Sequence, residues 1–448
     1  MDKTLSKKET LAIGLMLFAL FFGAGNMIFP PALGQTAGTN VWIATFGFLI
    51  TGVGLPLLAV IAVSRTNGDF TEIAKRVHPI FGIFFTIILY LAIGPFFGIP
   101  RTGTVAFEIG VTPFLSEGLK ENFFSLTAYT IVFFGITLWL ALNPSKMVDR
   151  VGKILTPLLL GVLTLLVIKS LVTPMGDLQA PQERYMQSPF IKGFIDGYLT
   201  MDTIAALVFG IVVITSIKEK GITDSKALAS ICVKAGLIAA AGLVIVYVAL
   251  SYIGASSPEA IGIKENGGAI LTSVATHLFG SFGTVILGLA ITFACLTTSV
   301  GLTTACGEFF AKMIPGLSYK TIVIFLTVFS AVIANIGLTQ LISISIPILV
   351  FIYPLAIILV VLSFRDFSRE VYILPLIVSS VVSLMDSLKA FGITIAWIDR
   401  PFQTYLPFYN DGAGWILPAG IAAIAGYVIS KVKSGPSNKE NKSIKQAS

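Results

Sequence analysis

Phe21-Phe22-Gly23-Ala24-Gly25-Asn26-Met27-Ile28-Phe29-Pro30-Pro31 lies inside the first long apolar run of the chain, residues 10–33. A run of about 20 apolar residues is long enough to cross a bilayer as a helix. Yet this one holds two glycines, an asparagine and two prolines, and relative to Ala a helix interior loses about 1 kcal/mol for Gly and about 3 for Pro. Gly23 and Gly25 permit unwinding near mid-membrane, and Asn26 brings a polar side chain to the same depth. Pro30 and Pro31 are expected in the first turn of a second half-helix, where the missing N–H removes no hydrogen bond. Such a half-helix turns its free N–H groups and positive dipole end toward the membrane centre, a setting suited to a carboxylate.

A second interruption lies in the run 190–216: Phe194-Ile195-Asp196-Gly197-Tyr198-Leu199-Thr200-Met201-Asp202-Thr203. Two carboxylates and two threonines fall in an otherwise apolar stretch, where charge is costly and needs a partner, a cavity or an ion. Small residues also serve helix packing in membranes, which accounts for one such break. Two breaks five spans apart point instead to a five-plus-five inverted repeat with a site at the midplane.

The rest of the chain reads the same way. Of its 448 residues, 55% are hydrophobic and 12% charged, against about 25% charged in soluble domains; the mean hydropathy is +0.90. Twelve apolar runs fall near 10–33, 41–64, 79–111, 123–142, 151–173, 190–216, 229–254, 280–308, 319–337, 340–363, 370–394 and 412–430. The fold class is therefore all-α integral membrane protein, since a helix satisfies its backbone groups within each segment. Alternate loops carry the basic residues: Arg65, Lys75 and Arg76; Lys146, Arg150 and Lys153; Lys218, Lys220 and Lys226; Lys312 and Lys320; Arg365 and Arg369; then the tail lysines. That bias places both termini in the cytoplasm and explains the +7 charge without nucleic acid. Met1 to Lys8 leads into a retained first span with no cleavage site, and 434–448 reads as a disordered tail. Spans 10–173 and 190–363 form the two repeats of a single transporter domain, and 370–430 holds two accessory helices.

Cys232, Cys295 and Cys306 lie in apolar segments, and His78 and His277 are too far apart for a histidine metal site. A phosphate loop of the G-x-x-x-x-G-K-[ST] type is missing, as is a nucleophile motif, so neither ATP-driven transport nor an enzyme is expected. Five hydroxyls lie between Thr297 and Thr304. They suit a hard monovalent cation, or they bond back to carbonyls one turn earlier. In the third span, Gly94-Pro95-Phe96-Phe97-Gly98-Ile99-Pro100-Arg101 should kink. Arg101 and Glu108 read as a structural pair near the outer end or as part of an extracellular gate.

The strings FFGAGNMIFPPALGQTAG (21–38), GPFFGIPRTGTVAFEIG (94–110) and GYLTMDTIAALVFG (197–210) resemble motifs of the bacterial branched-chain amino acid carriers, the leucine/isoleucine/valine:cation symporter family. The resemblance runs along essentially the whole chain. It implies the fold of leucine-transporter-like sodium symporters, with a site between spans 1, 3, 6 and 8 in a bacterial plasma membrane. It further implies a substrate site at Phe22, Gly23, Ala24, Gly25, Phe96, Tyr198 and Thr200, with Phe21, Phe97 and Phe209 as further apolar walls. By the same resemblance Ala19, Phe22, Asn26, Ala294, Thr297 and Thr298 would coordinate Na⁺. The implied activity is alternating-access symport of leucine, isoleucine and valine with Na⁺, in contact with membrane lipid and with no bound cofactor. Coupling to H⁺ through Asp196, Asp202 or Glu108 is the alternative, and a binding-only sensor or a passive channel would be a different class.

Overall fold

The computed structural model describes residues 5–120, 122–142 and 156–433, and the elements in it are helical, with no strand among the described residues. The loop bases Lys146, Arg150 and Lys153, the first four residues and the tail 434–448 lie outside the described residues.

The helices that organise the chain are α1 (Lys7–Phe21), α2 (Ala24–Ala37), α3 (Val41–Leu49), α4 (Leu55–Ser64), α5 (Pro79–Leu91), α6 (Gly98–Gly110), α7 (Phe123–Ala141) and α8 (Thr156–Val172). There follow α9 (Pro189–Asp196), α10 (Asp202–Glu219), α11 (Ser225–Ser256), α12 (Gly267–Met313), α13 (Tyr319–Ala334), α14 (Leu338–Leu362), α15 (Arg369–Ala390) and α16 (Ile416–Lys433). Among the described residues, nine helical stretches of at least 18 residues are apolar enough to cross a membrane, from Ala24–Ser64 to Ile416–Lys433. Leu159–Val172 and Tyr319–Ala334 are apolar but shorter.

The first helix starts where a capping box forms: Ser6 Oγ accepts from the Glu9 N–H at 3.2 Å, and Glu9 Oε2 accepts from the Ser6 N–H at 2.8 Å. The expected break follows at Phe22 and Gly23, but the second half-helix begins sooner than the prolines suggest. Ala24 is its first residue, so Pro30 and Pro31 sit in its second turn. There they strip the carbonyls of Asn26 and Met27 of their helical donors, leaving acceptors close to the break. The third span kinks as expected, through a π turn at Ala92–Phe96 in which Gly94 leaves helical geometry (ψ −117°). A second π turn, Ile50–Gly54, joins α3 to α4. In α12, Gly280 takes a positive φ of 63° and separates residues 267–279 from the apolar segment predicted to start at 280.

The chain divides into two units. The larger, Met1–Phe70 with Ile87–Ser345, holds both interrupted spans. Within it α2 packs on α11 and α12, α6 on α12, α9 on α3 and α10 on α4. Buried Phe18, Phe22, Phe48, Tyr198, Phe209 and Tyr247 fill its centre. The free cysteines Cys232, Cys295 and Cys306 are buried there too.

The smaller unit is Thr71–Thr86 with Ile346–Ser448. In it α15 packs along α16, and Lys433 pairs with Glu370 at 2.8 Å. Asp399, buried on the short helix Ala396–Tyr405, accepts from the Tyr409 hydroxyl at 2.9 Å and meets Lys389 Nζ at 3.1 Å. Arg369 Nε donates to the Val77 carbonyl at 2.6 Å, and Arg76 Nη1 to the Tyr372 hydroxyl at 3.0 Å. These loop arginines therefore also close helix ends.

Candidate functional site

In a continuous helix the Gly23 N–H would bond the Ala19 carbonyl one turn back. Here Gly23 is extended (φ −127°, ψ −153°), and its N–H donates to Asn26 Oδ1 at 2.9 Å. This reach-back from the third residue of α2 is half of a capping box, and it fixes the chain's exit from α1. The carbonyls of Ala19 to Phe22 are left at an open helix end, and the N–H groups of Ala24 and Gly25 at an open helix start.

The other interrupted span breaks in a complementary way. α9 ends at Asp196, Gly197–Thr200 forms a 3-10 turn, and Met201 adopts a left-handed conformation (φ 66°) before α10 begins. For a side chain without glycine's freedom, that conformation costs about 1–2 kcal/mol, so the surroundings must hold it. Thr51 in the π turn does part of this: its hydroxyl donates to the Phe194 carbonyl at 2.6 Å, and its carbonyl accepts from the Thr203 hydroxyl at 3.3 Å.

The two breaks meet backbone to backbone. A Cβ on Gly25 would stand 2.9 Å from the Thr200 carbonyl oxygen and 3.1 Å from its Cα. Side chains lock the junction: Asn26 Nδ2 donates to Asp202 Oδ2 at 2.7 Å and contacts the Tyr247 hydroxyl, which donates to the same Oδ2 at 2.5 Å. Asn26, Asp202 and Tyr247 are each about 2% exposed or less, and they join α2, α10 and α11. Asp202 thus receives the partners its depth demands. Asp196, by contrast, is held locally by Lys192 and the Tyr185 hydroxyl.

Where the breaks face α6 and α12 there is a small cavity. Of the residues singled out from sequence, Gly23, Ala24, Gly25, Thr200, Asn26 and Thr298 line it. Thr298 faces the first break, its Oγ1 2.6 Å from where a Gly23 Cβ would stand. That oxygen is buried with no hydrogen-bond partner. Thr297 Oγ1 instead donates back to the Ala294 carbonyl at 2.8 Å, the second of the two readings of the hydroxyl cluster.

Phe22, Phe96 and Tyr198, together with Ala19, Ala294 and Thr297, are not among the lining residues. Phe22 stacks on Phe18 at 5.1 Å and Tyr198 packs edge-on against Phe194 at 5.7 Å. Phe96 sits on the π turn, is 41% exposed, and meets Phe329 at 5.2 Å. Of the further walls expected, Phe21 lines the cavity and Phe97 and Phe209 do not; the rest of the apolar wall comes from Leu20, Ile93, Ala205 and Leu302. Arg101 also lines the cavity. Its Nη1 donates to the Leu199 carbonyl at 2.7 Å and its Nη2 to Ser345 Oγ at 2.9 Å.

Residues 6–433 match the family described as branched-chain amino acid transport protein. The chain belongs to that family. Its similarity to two permeases extends nearly end to end. One is the branched-chain amino acid permease BraB of Bacillus subtilis (strain 168), 54% identical over 98% of this chain and 99% of the relative. The other is the branched-chain amino acid permease BrnQ of the same organism, 53% identical over 96% of this chain and 98% of the relative. The crystal structure of MhsT in complex with L-phenylalanine superposes with a TM-score of 0.58, covering 96% of this chain and 99% of that one at 19% identity, a likeness of fold. The chain is a multi-pass membrane transport protein rather than an enzyme, and every residue of the cavity lies within the family match.

Proposed function

We propose that this protein imports branched-chain amino acids across the bacterial plasma membrane by symport with Na⁺, using alternating access around the cavity between the two breaks. The observation that carries the reading is the meeting of an open helix start, an open helix end and the unpartnered Thr298 hydroxyl on one cavity. The family and the names of the relatives support the substrate class.

In this reading the α-carboxylate docks on the free N–H groups of Ala24 and Gly25 at the positive end of α2. The aliphatic side chain lies against Leu20, Phe21, Ile93, Ala205 and Leu302. Such a wall separates leucine, isoleucine and valine weakly, one methylene being worth about 1–3 kcal/mol. Na⁺ is cargo, held by the carbonyls freed at Ala19 and Phe22 and by Thr298 Oγ1, with Thr297 and the Ala294 carbonyl beside them. These are hard oxygen donors of the kind the ion requires. Na⁺ bound there ties α1 to α12 and stabilises the break that the carboxylate needs. Inward movement then draws on the sodium gradient and on about 2.3 kcal/mol per charge per 100 mV of membrane potential.

The topology belongs to the same proposal. Ala24–Ser64 contains the end of one crossing and the whole of the next, and Leu159–Val172 and Tyr319–Ala334 cross as well; with the other eight long stretches this gives twelve. The first ten form two inverted repeats, the last two are accessory, and the loop charges put both termini in the cytoplasm.

Uptake of labelled leucine into proteoliposomes tests the function. Accumulation should require an inward Na⁺ gradient and be blocked by isoleucine and valine but not by lysine. Accumulation driven by a proton gradient alone would keep the transporter and transfer coupling to a carboxylate such as Asp202. Saturable binding without flux would make the protein a sensor.

A further inference from the structure

Among the described residues that line the cavity, two are charged, and they are of opposite sign: Arg101 from α6 and Asp202 from α10. Each is 2% exposed. Arg101 donates to the Leu199 carbonyl and to Ser345 Oγ, both neutral acceptors. Its guanidinium carbon also lies 5.5 Å from the centre of the Phe29 ring on α2, which places the charge alongside the half-helix that starts at Ala24. Asp202 likewise takes its hydrogen bonds from the neutral donors Asn26 and Tyr247. An α-amino acid brings one charge of each sign to such a site. Open backbone N–H groups favour any acceptor and discriminate poorly between a carboxylate and an amide. A guanidinium fork prefers the carboxylate strongly.

Resting on the reading of this cavity as the substrate site, we propose that Arg101 recognises the α-carboxylate, exchanging one of its neutral acceptors, the Leu199 carbonyl or Ser345 Oγ, for a charge-assisted bond to the substrate. Leu199 lies in the turn that interrupts the second broken span, so the exchange loosens a tie between α6 and that break only when a carboxylate is present. An amide or amine with the same side chain leaves the tie intact.

The test is competition of unlabelled leucine and leucinamide against labelled leucine uptake in proteoliposomes of the full chain. The wild type should prefer leucine over leucinamide by about 100-fold, and Arg101→Gln should weaken leucine about 30-fold while leaving leucinamide nearly unchanged. Arg101→Lys keeps the charge but loses the fork, so leucine should weaken about fivefold, again without a change for leucinamide. An unchanged leucine-to-leucinamide ratio in Arg101→Gln overturns the proposal. Should Arg101→Gln fail to give monodisperse protein, Arg101→Lys decides: selective loss of leucine supports the role, and equal loss of both ligands or no loss overturns it. A wild type that takes up no leucine refutes the reading of the cavity itself, whereas wild-type uptake with an unchanged ratio in the variants refutes the role of Arg101 alone.

Discussion

Gly25 shows how much of the site one residue can hold. Its missing side chain is what allows the first break to touch the Thr200 backbone, and neither partner is a flexible side-chain tip that could swing aside. Gly25→Ala should therefore lower leucine uptake about tenfold or more at normal expression, since forced overpacking costs about 1–3 kcal/mol. Uptake near the wild-type level would show that the two breaks are not in contact. Gly23, Gly25, Asn26 and Thr298 were legible in the sequence because each breaks the rule of its surroundings: glycine in a span, an amide at mid-membrane, a hydroxyl pair among apolar residues. Tyr247 was not, for a tyrosine within Leu243–Leu250 looks like any packed aromatic until Asp202 is seen beside it. Phe96, named through the resemblance, sits on a π turn and packs on Phe329 rather than lining the cavity.

Between elements, the carboxylate of Asp202 is the junction: α2 reaches it through Asn26 and α11 through Tyr247. Groups that share one buried acceptor do not contribute independently. Thermal stabilities of the purified wild type, Asn26→Ala, Tyr247→Phe and the double variant should give a coupling energy of about 1 kcal/mol, within the range of about 0.5–3 for residues in one network. Additive losses would mean that the two helices do not act through Asp202. The interruptions themselves were readable as violations of helix propensity, but the start of α2 was not. Two adjacent prolines suggested a first turn at Pro30, whereas the Asn26 amide caps the helix six residues earlier, at Ala24. A side-chain cap is a tertiary fact that residue types alone do not disclose.

Over the whole molecule, hydropathy identified an all-helical membrane protein and the rough position of each apolar run. It gave less on length, because π turns, the Gly94 kink and the Gly280 break let helical stretches run on past the length of a single crossing. The cavity was legible only in outline, through the two breaks; its apolar wall of Leu20, Ile93, Ala205 and Leu302 consists of residues that any span contains. In the proposed mechanism amino acid and Na⁺ bind at this one junction and stabilise each other, a coupling that must be reciprocal. Equilibrium leucine binding to the purified protein across a series of Na⁺ concentrations, in the wild type and in Thr298→Ala, tests it most directly. Leucine affinity should rise with Na⁺ in the wild type, and Thr298→Ala should require about tenfold more Na⁺ to reach an affinity for leucine that is little changed at saturation. Leucine affinity independent of Na⁺ in the wild type, or a variant that loses leucine and Na⁺ responses equally, would contradict it.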